Sequence, residues 1–276
     1  MAIEVKRVTN VIGAEVSGID LSKPLRPEEK GEIEKLLLEH LVLVFQAQSI
    51  SIEEQVAFAK QFGEVAEQPF NTRYAPSPEY IVLDQSAPKG EGADSWHSDN
   101  SFMPEPPKAA ILKAVKLPEV GGDTCYANMY AAFEGLSKPM QEMLDGLTAI
   151  HDITKPLEKA IRAGHAKPDA DLRSAQEAWP PVEHPVVRTH PITGRKLLYV
   201  NPNSTTRILG VTDRENELLL PFLNDHVRSP DYQCRFRWYE GTVIFWDNIP
   251  VQHFAVADYD ERRVMHRVAL AGDRPR

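Results

Sequence analysis

The chain has 276 residues, 42% of them hydrophobic and 26% charged, a length that supports a large core and a composition that excludes a disordered protein. A formal net charge of −9 argues against nucleic acid or an anionic membrane as the main partner. The first residues lack an apolar signal, the window at 36–45 is too short to span a bilayer, and Cys125 and Cys234 form no paired motif, so we expect a reduced cytoplasmic protein.

The first third of the chain alternates strand and helix patterns. Pro27 and Glu28 suit the first turn of a helix, and Ser51 with Glu54 forms a capping box that opens another. In chain order the patterns predict a strand at 3–8, a helix at 26–38, a strand at 41–45, a helix from 51 to about 63, and a strand at 80–84.

Beyond this point short strands dominate. The predicted strands are 109–116, 123–127, 147–152, 185–190, 196–201, 233–238, 242–247 and 263–270, with helices at 129–146 and 213–227. The proline-containing segment 153–182 is long for a loop inside a compact domain, and we interpret it as a lid or a disordered segment. We find no linker, so the prediction is one domain over 1–276, a β-barrel-like sandwich with helices packed on its outside.

The triplet His97-Ser98-Asp99 is a candidate for metal binding. On an extended strand, residues i and i+2 point to the same face, which aims the imidazole and the carboxylate at one point. His253 would complete a 2-His-1-carboxylate set for iron. Such a triplet also arises by chance, and the alternative is a surface strand with a solvated His and Asp and a His253 that lies idle in a polar turn.

Two arginines near the C-terminus suggest an anion site. Arg263 and Arg267 share one face of the predicted last strand, whereas His266 lies on the opposite face and is predicted not to be a ligand. Because an unpaired buried guanidinium is costly, two inward arginines call for a carboxylate or sulfonate. The alternative is a pair of rim arginines that bind acidic residues of the adjacent turn at 258–261.

These residues, in this order, resemble the TauD/TfdA group of iron(II)- and 2-oxoglutarate-dependent dioxygenases. The resemblance runs nearly end to end. Its motifs are GAEVSGID at 13–20, LVF at 43–45 with Gln48, WHSD at 96–99 with Phe102, GGDT at 121–124, HPVVRTHP at 184–191, YVN at 199–201, TTRI at 205–208, WDN at 246–248, QH at 252–253, DY at 258–259, RR at 262–263 and MHR at 265–267.

The resemblance implies a role for each matching residue. It implies that Fe(II) is bound by His97, Asp99 and His253, and that Thr124 and Arg263 bind the distal carboxylate of 2-oxoglutarate. Arg267 would lie near the substrate anion. The turn after His253 is about one residue shorter than in the taurine enzyme, which leaves open whether Arg262 or Arg263 points inward.

The loop before the strand at 80–84 departs from the taurine enzyme. No histidine occurs between His40 and His97, where the taurine enzyme uses one to hold the sulfonate. Arg73 or Tyr74 would substitute, and we take Tyr74 as the candidate substrate contact. Ala93 also stands where that enzyme has an amide side chain, so the substrate could differ from taurine.

The implied protein is an oligomeric jelly-roll enzyme, a homodimer or homotetramer, that uses Fe(II), 2-oxoglutarate and O2. The resemblance implies hydroxylation of a small organic anion, foremost a taurine-like alkylsulfonate, with succinate, CO2, an aldehyde and sulfite as products. The same chemistry on an alkyl sulfate ester or an aryloxyalkanoate stays open. Two readings from other classes are a metal-free barrel that binds a small molecule, and a metal-dependent hydrolase of a sulfate ester, for which no nucleophile motif is present.

Overall fold

The computed structural model describes residues 3–66, 77–86, 95–162 and 170–276. Its strands are β1 (Glu4–Arg7), β2 (Ala14–Ser17), β3 (Val42–Phe45), β4 (Ile81–Ser86), β5 (Ala109–Lys116), β6 (Thr124–Asn128), β7 (Thr148–His151), β8 (Val182–Pro185), β9 (Val187–Thr189), β10 (Lys196–Leu198), β11 (Thr205–Ile208), β12 (Gln233–Phe236), β13 (Val243–Asp247), β14 (Val251–Ala255) and β15 (Arg262–Leu270). Its helices are α1 (Pro27–His40), α2 (Ile52–Lys60), α3 (Met129–Glu134), α4 (Lys138–Leu144), α5 (Thr154–Arg162), α6 (Leu172–Ala178) and α7 (Asp213–His226). The mainly-β prediction with flanking helices is confirmed.

The strands form one large sheet and several small ones. The large sheet has seven strands in the order β1-β2-β3-β13-β5-β15-β4, in which β2 and β3 run parallel and the other neighbours are antiparallel. A three-stranded sheet, β12-β6-β14, carries much of the candidate site, and β11-β7-β8 and β10-β9 complete the strand pairing. This is the predicted jelly-roll arrangement of antiparallel strands.

The central strands of the large sheet are covered on both faces, which explains their continuous apolar runs. On β3, Val42 and Val44 belong to a core shared with β6, β12 and β14, whereas Leu43 and Phe45 belong to a second core beneath α1 and α2. Strand β13 divides its side chains in the same way, with Trp246 on the first side and Phe245 on the second.

The helices follow their capping signals more closely than their apolar periodicity. Ser51 caps α2 as predicted, because its hydroxyl accepts from the backbone N–H of Glu54 while the Glu54 carboxylate accepts from the N–H of Ser51. The single helix predicted at 129–146 is wrong: α3 ends at Gly135, and Ser137 caps a separate helix, α4. None of the described helices combines the length and the apolarity that crossing a bilayer requires.

Several other expectations need correction. The predicted strand 185–190 is two strands, β8 and β9, which pair with different partners. The segment 153–182 contains α5 and α6 within its described part, although its prolines had indicated a loop. Strands β2, β11 and β14, each of four or five residues, were missed. Of these, β14 matters most because it carries His253.

Two histidines are buried beside each other at the end of β7. The rings of His151 and His184 lie 5.1 Å apart, and the Nδ1 of His151 is 3.1 Å from the hydroxyl of Ser101. Burial, reinforced by the neighbouring ring, lowers the pKa of His151 to about 3, and burial lowers the pKa of His184 to about 4. Both side chains are therefore neutral in the folded protein at neutral pH.

We predict that these histidines destabilise the protein in acid. Below a pH of about 6.5 the unfolded chain protonates them and the folded chain does not, so stability is lost as the pH falls. Each should contribute a slope of about 1.4 kcal/mol per pH unit to the free energy of unfolding between about pH 6 and 4. Urea denaturation across this range should give a shallower slope for His151→Gln than for the wild type. Equal slopes would contradict the prediction.

Candidate metal and co-substrate site

His97 and His253, which are distant in the chain, are paired at the site. His97 and His253 face each other as an isolated antiparallel bridge, with His97 N donating to His253 O at 3.1 Å and His253 N donating to His97 O at 2.8 Å. Their rings lie 4.2 Å apart. Strand β14 supplies His253 from the centre of its pairing with β6, opposite Tyr126. The backbone therefore sets both imidazoles side by side.

Asp99 completes the cluster from a turn. The predicted extended strand ends at the bridge, and the chain turns at Asp99 and Asn100, which has a φ of +50°. The Asp99 Oδ1 lies 3.7 Å from the Nε2 of His97 and 3.8 Å from the Nε2 of His253. In the part of the chain that the structure describes, these three side chains are the group whose ligand atoms could hold a metal ion, all within 4.8 Å of one another.

The protonation of the cluster suits metal binding. Burial raises the pKa of Asp99, but Arg267, His253 and His97 together outweigh burial and hold that pKa well below its usual range. Burial lowers the pKa of His253 to about 3. The Nδ1 of His97 lies 2.8 Å from the carbonyl oxygen of Ser95, which only accepts, so Nδ1 carries the proton and Nε2 keeps its lone pair.

Arg267 contacts the carboxylate of the cluster. Its Nη1 donates to the Asp99 Oδ1 at 2.8 Å, and its Nε is buried without a partner. Arg267, predicted to lie near a substrate anion, is at the edge of the His97, Asp99 and His253 cluster. Tyr74, the other expected substrate contact, and Arg73 lie outside the described residues.

Thr124 and Arg263 both lie next to Trp238. The indole N–H of Trp238 donates to the hydroxyl of Thr124 at 2.9 Å, and the guanidinium carbon of Arg263 is 5.8 Å from the centroid of the indole. Arg263 is 5% exposed, and its Nε and Nη2 have no hydrogen-bond partner. Buried donors of this kind mark a place that an anionic group would fill.

The structure decides between the two neighbouring arginines. Arg262 is exposed and pairs with Asp84, at 2.6 Å from Nη2 to Oδ2, whereas Arg263 is buried. Arg263 and Arg267 share the inward face of β15 with Met265, which is fully buried. His266 lies on the other face near Tyr80 and is outside the metal cluster, as predicted.

Two neighbouring aromatic residues of β13 lie in different cores. Phe245 packs against Phe58 and Phe62 in the second core, so it does not face the site. Trp246 is a core residue, and its ring is also 5.1 Å from that of His253.

Sequence reasoning missed Trp238 and Asn248. Trp238 ends an alternating run, Cys234-Arg-Phe-Arg-Trp, whose inward face could have indicated it. Asn248 lies inside the WDN motif, but its residue type alone gave no sign of a role. Its side chain holds the backbone of Asp99.

The model of the taurine catabolism dioxygenase TauD, TfdA family matches residues 4–269. The chain belongs to this family. It is 35% identical to an alkylsulfatase of Acinetobacter baylyi, over 98% of this chain and 86% of that one. It is also 35% identical to an alpha-ketoglutarate-dependent sulfate ester dioxygenase of Pseudomonas putida, over 100% and 91%. A crystal structure of a taurine dioxygenase from Burkholderia xenovorans superposes with a TM-score of 0.84 at 37% identity, covering 99% and 90%.

As a TauD/TfdA protein, the chain is a 2-oxoglutarate-dependent dioxygenase, an oxidoreductase that uses Fe(II), 2-oxoglutarate and O2. The site fits these groups. Two imidazoles and one carboxylate around one point form the ligand set of a non-haem Fe(II) oxygenase with open positions. The unpaired buried donors of Arg263 fit the distal carboxylate of 2-oxoglutarate.

We predict that a metal titration distinguishes His253, a candidate metal ligand, from His266, which lies outside the cluster. His253→Ala should lower the affinity for Co(II) by more than about 100-fold. Substitution of a residue that orients a metal ligand costs up to about 100-fold, and removal of a ligand itself should cost more. His266→Ala, a change to a histidine on the opposite face of β15, should bind Co(II) like the wild type. Loss of binding in His266→Ala alone would contradict the assignment.

Proposed function

We propose that His97, Asp99 and His253 bind the Fe(II), and that Thr124 and Arg263 bind the distal carboxylate of 2-oxoglutarate. The observation that carries the proposal is the convergence of the three ligand atoms within 4.8 Å. A second observation supports it, since Arg263 is buried at 5% exposure and keeps two donors unpaired, which an anionic co-substrate would satisfy.

When bound, Fe(II) and 2-oxoglutarate supply the oxidising power by which O2 hydroxylates a substrate C–H bond, while 2-oxoglutarate becomes succinate and CO2. The chain contributes position and protection from water. His97 is held by Ser95 and by its bridge to His253, and the rings of Tyr126 and Trp246 cover His253 from inside the core. Asp99 stays ionised because Arg267 donates to it.

The substrate we propose is a small organic anion, foremost a taurine-like alkylsulfonate. Arg267 supports this choice, because it lies at the metal cluster with an unpaired Nε and can receive an anionic head group there. The head group would lie close to the oxidised carbon. Hydroxylation of the carbon that bears the sulfonate gives an unstable adduct, whose C–S bond breaks to leave an aldehyde and sulfite.

A second candidate substrate is an alkyl sulfate ester, favoured by the two relatives whose names specify sulfate esters or alkyl sulfates. Hydroxylation of the carbon that bears the ester oxygen breaks the C–O bond and gives an aldehyde and sulfate. Sulfonates and sulfate esters present the same three terminal oxygens, so one guanidinium serves both. Tyr74 is our candidate for a further contact with this head group.

We propose that residues 1–276 form one catalytic domain with a lid at 153–182. The family match over 4–269 and the shared large sheet, which contains both β1 and β15, support the single domain. The packing of Phe102, three residues after Asp99, against Ile153 and Leu157 at the start of this segment supports the lid. We also propose a cytoplasmic homodimer or homotetramer that binds neither nucleic acid nor membrane, in keeping with free Cys125 and Cys234 and the net charge of −9.

We predict that the purified protein with Fe(II) releases succinate from 2-oxoglutarate in a substrate-dependent manner. Taurine and longer alkylsulfonates should yield sulfite in step with succinate, because one C–S bond breaks per turnover. Alkyl sulfates and phenoxyacetate are tested in parallel, and sulfate or phenol release without sulfite would move the assignment to those classes. His97→Ala should release no succinate above background. Full turnover in that variant would remove the metal assignment.

We predict that Arg263→Ala loses the co-substrate and keeps the metal. Removing the buried guanidinium should weaken binding of 2-oxoglutarate by about 10- to 100-fold, the cost of one charge-assisted hydrogen-bonded pair. Calorimetric titration of the Mn(II)-loaded protein with N-oxalylglycine measures this affinity without turnover. Arg262→Ala, which removes the exposed neighbour that pairs with Asp84, is the matched control and should bind normally. The reverse pattern would show that the proposed roles are exchanged.

A further inference from the structure

The metal ligand Asp99 lies just past the end of its backbone pairing. His97 exchanges two main-chain hydrogen bonds with His253, but the chain then turns, and Asp99 is 2% exposed. A buried N–H and C=O that lack partners cost free energy, so the backbone of Asp99 needs hydrogen bonds from elsewhere. Strand pairing does not supply them at this position.

The side chain of Asn248 supplies both of them. Its Oδ1 accepts from the N–H of Asp99 at 2.8 Å, and its Nδ2 donates to the carbonyl oxygen of Asp99 at 3.1 Å. The same Nδ2 donates to the carbonyl oxygen of Pro107 at 2.8 Å. Asn248 is 1% exposed, so these contacts are protected from water.

Asn248 also lies in the connection that leads to the third ligand. It occupies the turn between β13 and β14, and its own N–H donates to the carbonyl oxygen of Lys108 at 2.9 Å. Between the two contact points, the hydroxyl of Ser98 donates to the carbonyl oxygen of Val251 at 2.9 Å. The segment 97–99 is thus attached to the segment 248–253 at every residue.

The chemistry of an asparagine amide suits this role. Its C=O and NH2 are the same acceptor and donor that a peptide group offers. The side chain therefore pairs with the backbone of Asp99 as the main chain of a neighbouring strand would. An aspartate at 248 would lack the donor, a leucine would lack both groups, and a glutamine would place its amide one methylene farther out. The arrangement of acceptor and donor around Asp99 therefore depends on the amide of residue 248.

We propose that Asn248 is a positioning residue of the metal site, which holds the backbone of Asp99 so that its carboxylate faces His97 and His253. This inference rests on the proposed metal-binding role of the three residues. Asn248 contacts the main chain of Asp99 and leaves the carboxylate free. Its loss should therefore loosen the placement of one ligand while all three ligands remain in the chain.

The test is a Co(II) titration of Asn248→Ala, followed by the visible absorption of the bound ion. Changes that disturb the groups orienting a metal ligand typically cost about 10- to 100-fold in metal affinity, and we expect a loss in this range. We also expect an altered Co(II) spectrum, because the spectrum reports the geometry of the bound ligands. Neither readout requires turnover, 2-oxoglutarate or a substrate.

Asn128→Ala is the matched control. Asn128 is also buried, and its side chain makes three comparable hydrogen bonds. It accepts from the N–H groups of Tyr130 and Ala131 and donates to the carbonyl oxygen of Val11, so these bonds do not involve the segment 97–99. Both substitutions should lower the thermal stability, but Asn128→Ala should keep the Co(II) affinity and spectrum of the wild type. The comparison therefore separates an effect on the metal site from the general loss of stability that follows removal of a buried side-chain amide.

Equal Co(II) affinity in Asn248→Ala and Asn128→Ala would overturn the inference. If Asn248→Ala is not recovered in folded form, Asn248→Ser is titrated instead, because its short hydroxyl cannot serve both backbone groups of Asp99, and wild-type affinity in that variant would also overturn it. A wild-type protein that fails to bind Co(II) would instead remove the proposed metal site itself. The two failures are therefore distinguishable.

Discussion

The candidate site depends on one backbone interaction, the reciprocal pairing of His97 with His253. These residues are far apart in the chain, and two main-chain hydrogen bonds join them, with their rings 4.2 Å apart. The remaining parts follow from this bridge. Asp99 comes two residues after His97, and Asn248 comes five residues before His253, so both reach the same point from opposite sides.

The candidate site contains buried charged side chains that a metal ion and 2-oxoglutarate would stabilise. Asp99 is 2% exposed and is stabilised as an anion by Arg267, while the buried His253 remains neutral. Arg263 is buried next to Trp238, and its Nε and Nη2 have no hydrogen-bond partner. A dication beside the carboxylate and a dicarboxylate beside the guanidinium would each offset a desolvation cost already present in the folded protein.

The features that could be predicted from the sequence are those that depend on residue type and on local spacing along the chain. The capped helix after Ser51 and the common face of Arg263 and Arg267 follow from local spacing, and the structure shows both. His97 and Asp99 also converge with His253, but Asp99 reaches this point from a turn and not from the extended strand that the spacing predicted. The break of 129–146 at Gly135 was overlooked because apolar periodicity continues across it, although Gly135 and the capping residue Ser137 mark it in the sequence. Asn248 could not be identified from the sequence, since the importance of its amide arises only when the turn at Asp99 leaves two backbone groups unpaired.

The register of β15 determines which of Arg262 and Arg263 points inward. Strand β15 pairs with β4 without interruption, but its pairing with β5 skips Val115, which is 39% exposed. The extra residue therefore lies on β5, and the alternation along β15 stays intact. A bulge on β15 between the two arginines would have turned either Arg263 or Arg267 outward, because side chains alternate along a strand with a period of two. Either the proposed 2-oxoglutarate contact of Arg263 or the contact of Arg267 with Asp99 would then be lost.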